Sequence, residues 1–202
     1  MEQYINQVAG WLKMDKTEKE WQKLLLKIFP IIFPQYIAFL REQHIPITQN
    51  SQRRNDIPDY LALKDTFSLD IIEIKKPLYQ VLRNGLYRGN YVLGQELQGQ
   101  ITQAQKYLYN LTRWGRKGEE KLTEKFIKFT KEPTLKSYIR NPKAILIIGR
   151  SNCINDEQLR DFEILRQKHE DIIDIITYDD LLKRMQRVQK MRTNPNSIWN
   201  KN

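Results

Sequence analysis

The sequence predicts an α/β fold in which a mixed β-sheet is flanked by helices. Three observations lead there. Residues 58–76 read as a strand, a short polar turn and a second strand. Apolar residues at helical spacing bracket that hairpin, over 17–29 before it and 95–111 after it. Further on, apolar runs at 144–148 and 172–177 alternate with helical stretches, which is the ordering of an α/β domain. A length of 202 residues fits one domain spanning 1–202, with its core at about 17–185, and 40% hydrophobic residues suffice to fill that core.

Taken in order, residues 1–14 form a short amphipathic lead with Trp11 and Leu12. The helix over 17–29 carries Trp21, Leu24, Leu25 and Ile28 on one stripe, and Thr17 with Glu20 has the spacing of a capping box. That gives Glu20 a structural task and leaves Glu18, one turn before Trp21, unexplained. Pro34 is expected to open a second short helix through Phe39 and Leu40. Residues 44–48 suggest an edge strand weakened by Pro46. Polar residues then lead to Arg53 and Arg54, beside the hairpin, where guanidinium groups suit phosphates.

The hairpin carries the chemistry. Centring its turn on Thr66 pairs Leu63 with Leu69, Leu61 with Ile71 and Asp59 with Glu73. Alternation then turns Lys75 to the same side as Glu73, while Tyr60, Ala62, Ile72 and Ile74 occupy the other face, so both faces read as buried. Two carboxylates placed opposite each other repel. A divalent cation offsets that repulsion, and magnesium commonly uses one or two carboxylates together with phosphate oxygens and water. An E-x-K triplet alone is common on strands; its register with Pro58-Asp59 is what points to a site.

After the hairpin, residues 78–94 have no clear period but interleave Arg83, Tyr87, Arg88 and Tyr91, a mixture suited to phosphates and bases. The helix over 95–111 brings Gln103 and Tyr107, four apart, onto one face. Residues 112–143 are strongly basic and read as an insertion containing an amphipathic helix with Leu122, Phe126 and Phe129. A strand over 144–148 is followed by Gly149-Arg150, and a helix over 156–169 turns Leu159, Phe162 and Leu165 inward. A strand over 172–177 precedes a last helix, capped by Asp179 and running over 180–189. Residues 191–202 read as a loose tail in which Trp199 is the one docking residue.

Composition narrows the function. A net charge of +10 favours a polyanion partner, with nucleic acid first. One cysteine and two histidines exclude a disulfide framework and a Cys/His zinc cluster, leaving carboxylates as the candidate ligands. No apolar run reaches the roughly 18 residues of a membrane span, and the N-terminus lacks the pattern of a secretory signal, so a cytoplasmic location without membrane contact is expected.

The elements over 17–148 match the core of PD-(D/E)xK nucleases, with Asp on the second core strand and Glu-x-Lys on the third. More narrowly, the blocks TEKEWQKLL, IPDYLAL, DIIEIKKP, the Gln103–Tyr107 helix, AILIIGR and IITYDDLL resemble the nuclease domain of the Shedu immune family. The resemblance covers about 17–185 and implies a prokaryotic anti-phage endonuclease that cuts DNA with Mg2+, or with Mn2+ in its place. It implies Asp59 and Glu73 as metal ligands, Glu18 as a helix carboxylate reaching the metal, Lys75 acting on the attacking water and Gln103 supporting the site. Arg53, Arg54, Arg88 and Arg150 are the expected DNA contacts, a homo-oligomer is expected, and no small-molecule cofactor is. Family members often carry a separate sensing domain ahead of the nuclease, and residues 1–14 are too few for one. Two other readings keep the fold: a non-catalytic nucleic-acid-binding module, and a restriction or resolvase-type nuclease.

Overall fold

A computed structural model describes residues 1–47 and 55–194. Helix α1 (Glu2–Trp11) packs against α5 (Tyr178–Thr193), and α2 (Glu18–Ile32) leads into strand β1 (Tyr36–Arg41). Strands β2 (Ile45–Pro46) and β3 (Asn55–Asp56) form a small antiparallel pair. The hairpin is β4 (Tyr60–Lys64) and β5 (Leu69–Ile74). Helix α3 (Gln95–Thr130), β6 (Ala144–Ile147), α4 (Asp156–Gln167) and β7 (Ile173–Ile176) complete the order before α5. The main sheet runs β1-β4-β5-β6-β7; its first two pairings are antiparallel and its last two parallel. This is a mixed α/β architecture, as the sequence predicts.

The hairpin register is centred on Thr66: Tyr60 pairs with Ile72, Leu61 with Ile71 and Leu63 with Leu69. Side-chain alternation then splits the strands between two cores. Leu61, Leu63, Leu69 and Ile71 face α3 and α4, packing with Leu97, Ala104, Leu122, Phe126 and Phe162. Tyr60, Ala62, Ile72 and Ile74 face α2 and α5, packing with Trp21, Leu25, Ile28 and Tyr178. Fully burying each aliphatic side chain contributes about 1.5–3 kcal/mol, so the central strands are held from both sides. The two parallel connections step in the same direction across the sheet. Right-handed crossovers then require their helices on one face, which is where α3 and α4 lie.

Several expectations are corrected. Pro34 opens no helix: 36–41 is an edge strand whose residues alternate between buried and accessible, and α2 continues through Pro30 to Ile32. Pro30 removes one helical hydrogen bond and lies on the exposed side of the helix. The 44–48 strand shortens to Ile45–Pro46, and Thr48 lies outside the described residues.

The helices around the basic stretch are also redrawn. The amphipathic helix expected within 112–143 is part of α3, which runs on through Gly115 and buries Leu122 and Phe126, and Leu135 joins the core beyond it. Gly115 has φ +53 and ψ −144, a conformation side chains resist, and it bends the helix there. Phe129, in the last turn, stays exposed and lines a shallow groove together with Leu40 and Gln43. Leu159 is exposed as well, because α4 sends only Phe162 fully into the core. The cap of the last helix is Thr177, not Asp179: Thr177 Oγ1 accepts from Asp180 N–H, and Asp180 Oδ2 accepts from Thr177 N–H. The lead segment docks, with Val8 buried and the Trp11 ring edge-on to Trp21. Trp199 lies outside the described residues. Among the described residues, no helix is long and apolar enough to cross a membrane.

Candidate active site

The β4–β5 ladder ends at the Tyr60–Ile72 pair, and one residue further on carboxylates take over the backbone hydrogen bonding. Asp59 N–H donates to Glu73 Oε2 at 3.2 Å. Ile74 N–H donates to Asp59 Oδ2 at 2.7 Å. Each carboxylate is thus pinned by the opposite chain, which locks Asp59 and Glu73 side by side. Lys75, two residues beyond Glu73 and therefore on the same face, places Nζ 2.8 Å from Glu73 Oε1 and 3.3 Å from Glu18 Oε1. The Lys75 main chain is fixed too, since its N–H donates to Ile147 C=O and its C=O accepts from Tyr178 OH.

Helix α2 reaches this end of the sheet from the other layer. Its capping box uses Glu20, whose Oε2 accepts from Thr17 N–H at 2.8 Å; that bond and Lys16 hold the Glu20 carboxyl down at about 2. Glu18 is left to reach Lys75. One turn on, Gln22 Nε2 donates to Asp59 Oδ1 at 2.8 Å, and Tyr60 OH donates to the Gln22 carbonyl. Sequence reasoning missed Gln22; its spacing of four from Glu18 was the available signal, since it puts both on one helix face. Tyr178 was missed as well, and it carries no comparable signal.

From the opposite layer, Gln103 Nε2 donates to Tyr107 OH, and Tyr107 OH reaches Ile57 C=O at 3.4 Å. Beside them, Asn110 Nδ2 donates to Asp56 Oδ2 at 2.6 Å. Gln103 therefore braces the segment that presents Asp59. The four arginines do not gather here. Arg53 and Arg54 lie outside the described residues. Arg88 sits in an exposed turn with its guanidinium over the Tyr87 ring. Arg150 is engaged with Asp179, Nη2 to Oδ1 at 2.8 Å and Nε to Oδ2 at 3.3 Å.

Electrostatics follow from burial. Asp59 is pushed up to about 7, first by desolvation and then by the Glu73 charge, against the pull of Ile74 N–H and Lys75. Glu73 is raised, mainly by burial. Burial alone would lower Lys75, but the Glu73, Asp59 and Glu18 carboxylates outweigh it and hold the ammonium firmly protonated. The pair thus concentrates acid groups that resist full ionisation without an added cation. Among the described residues, no three or more His, Cys, Asp or Glu side chains converge as a ready cation cage. The donor set fits magnesium in its other common form, in which one or two carboxylates hold the ion and water and phosphate oxygens fill the remaining positions.

These features define an α/β protein with a carboxylate pair, Glu73 buried and Asp59 partly so, and a lysine at the rim of its sheet. The family model described as Shedu protein SduA, C-terminal, matches residues 15–182, and the chain belongs to that family. Membership implies a role in anti-phage defence. No curated protein matches the chain.

Proposed function

We propose that this chain is a metal-dependent DNA endonuclease of prokaryotic anti-phage defence, built on a PD-(D/E)xK core. The observation that carries the reading is the locked Asp59–Glu73 pair with Lys75 on Glu73, at the end of an antiparallel hairpin. Asp59 and Glu73 would hold Mg2+ or Mn2+, and Glu18, which faces the site from α2 on Lys75, is the further carboxylate that the family resemblance implies. When bound, such an ion lowers the pKa of water and stabilises charge developing on a phosphodiester.

The chain's own residues do the positioning. Lys75, on the same face as Glu73, orients the attacking water or neutralises developing charge. Its ammonium also favours the ionised forms of Asp59 and Glu73, against burial. Gln103, through Tyr107, steadies the chain just before Asp59. Arg53, Arg54, Arg88 and Arg150 are the DNA contacts of this reading, and the net charge of +10 supports a polyanion substrate. Action as a homo-oligomer is carried by the family resemblance.

The test is cleavage of linear, branched, nicked and free-end DNA, and of RNA, with and without magnesium, with Glu73→Ala in parallel. Metal-dependent DNA cutting that disappears in Glu73→Ala is expected. Undiminished metal-dependent cutting by Glu73→Ala overturns the assignment, and binding without cutting by the parent protein identifies a non-catalytic module.

A further inference from the structure

The segment that follows Lys75 and Lys76 leaves the same end of the sheet as the carboxylate pair and folds back as a narrow hairpin. Lys76 C=O accepts from Gly149 N–H, tying its base to the end of β6. Leu82 and Leu93 bridge antiparallel and are both core residues. Arg83 N–H donates to Val92 C=O at 2.9 Å and Gly94 N–H to Val81 C=O at 3.0 Å. Tyr91 N–H donates to Asp161 Oδ2, fastening the stem to α4. The tip is a two-residue turn closed by reciprocal hydrogen bonds between Tyr87 and Asn90. Its central residues, Arg88 at φ +50 and Gly89 at φ +80, have the left-handed pattern of a type I′ hairpin turn. Asn90 Nδ2 donates to Arg88 C=O at 3.0 Å and stiffens it further.

This anchored tip displays side chains that water does not favour. Leu86 is 57% exposed and Tyr87 62%, beside the exposed Arg83 and Arg88. Leu86 and Tyr87 are not among the residues packed on either core. A Leu–Tyr pair flanked by guanidinium groups on a rigid, narrow projection is complementary to one class of surface: stacked bases edged by phosphates. Apolar wedges of this kind enter between base steps and kink a duplex, while arginines hold the adjoining backbone.

We propose that the tip of the 82–93 hairpin is a DNA wedge, in which Leu86 and Tyr87 unstack a base step of the bound duplex and Arg83 and Arg88 grip the flanking phosphates. The inference rests on the nuclease reading. It adds that the substrate is duplex DNA, deformed where the hairpin tip meets it.

The experiment uses duplexes carrying 2-aminopurine, whose fluorescence rises on unstacking, with Glu73→Gln protein so that the DNA stays whole. A several-fold fluorescence rise is expected with Glu73→Gln and none when Leu86→Ser and Tyr87→Ser are added. Affinity should fall by about 10- to 100-fold, the range set by losing stacking on one base. Both side chains are exposed, so the thermal midpoint should stay unchanged and exclude misfolding as the cause. Equal fluorescence and equal affinity overturn the wedge. If the intact protein cuts DNA and Leu86→Ser/Tyr87→Ser cuts it equally well, the wedge fails and the nuclease reading stands. If the intact protein neither binds nor cuts DNA, both fail.

Discussion

Gln22 holds Asp59: its Nε2 donates to Asp59 Oδ1 at 2.8 Å, from a helix in the layer opposite the face that carries the carboxylates. Gln22 is itself buried, so its amide has few alternative orientations. Gln22→Leu should therefore leave Asp59 free to rotate and slow cleavage by about 10- to 100-fold, the usual scale for groups that orient a ligand carboxylate. Gln22→Asn, too short to reach, should behave similarly, with the larger change in the magnesium concentration needed for half-maximal rate. Unchanged magnesium dependence in both variants would refute the positioning role.

Asp59→Asn should abolish cleavage and yet stabilise the metal-free protein. Burial and the Glu73 charge raise the folded Asp59 pKa from 3.8 to about 7. A raised pKa means the folded state binds the proton more tightly, so this contribution is complete below about pH 4 and is lost as pH rises towards 7. Asparagine removes that loss. The variant should be more stable than the parent to urea unfolding at pH 8, by an amount on the order of 1–3 kcal/mol, and the gap should narrow as pH falls and close below about pH 4. A gap independent of pH contradicts the electrostatic origin.

Arg150→Ala should destabilise the fold. The guanidinium makes two hydrogen bonds to Asp179, which also accepts from Ser151 and Asn152 N–H. Burial pushes the Asp179 carboxyl up, but the Arg150 hydrogen bond and these N–H groups outweigh it and hold it below 3.8. A depressed carboxyl stabilises above its unfolded value and loses that contribution as pH falls through the folded one. The variant should lose about 1–3 kcal/mol in urea unfolding at pH 7, because a half-buried carboxylate is left without its cation, and less as pH drops below 4. A DNA-binding defect without any stability change would instead mark Arg150 as a phosphate contact alone.

Gly115→Ala should cost about 1–2 kcal/mol in the same unfolding measurement, since alanine at φ +53 is strained. Straightening α3 would also shift Leu122 and Phe126 in the core relative to Gln103. An unaffected midpoint would show that the bend tolerates a side chain.

The hairpin was legible because strand alternation and turn position leave one register that buries Leu61, Leu63, Leu69 and Ile71 together. Glu18 was separable from Glu20 because the capping box claims the latter. Residues 34–40 misled because Pro34 suits the first turn of a helix as well as the approach to a strand, and the alternation of 36–41 emerges only against β4. Within the basic stretch the helical spacing of Leu122 and Phe126 was legible despite the cations around it, whereas the continuity of α3 from Gln95 through Gly115 was not, because glycine in a helical pattern reads as a break. Tyr178 and the Arg150–Asp179 pair join residues far apart in sequence, and no local pattern announces such contacts.

The β4–β5 register has one more consequence. Asp59 and Glu73 meet only because equal stretches of chain run out on either side of Thr66. Adding or deleting one residue at that tip would turn every later side chain of β5 over, sending Glu73 into the layer of Trp21 and Ile72 into the layer of Phe162. A surface turn at the far end of the hairpin thus acts as a frame-keeper for the carboxylate end. Insertions and deletions, which loops normally tolerate, should be inactivating there even though no catalytic residue is touched.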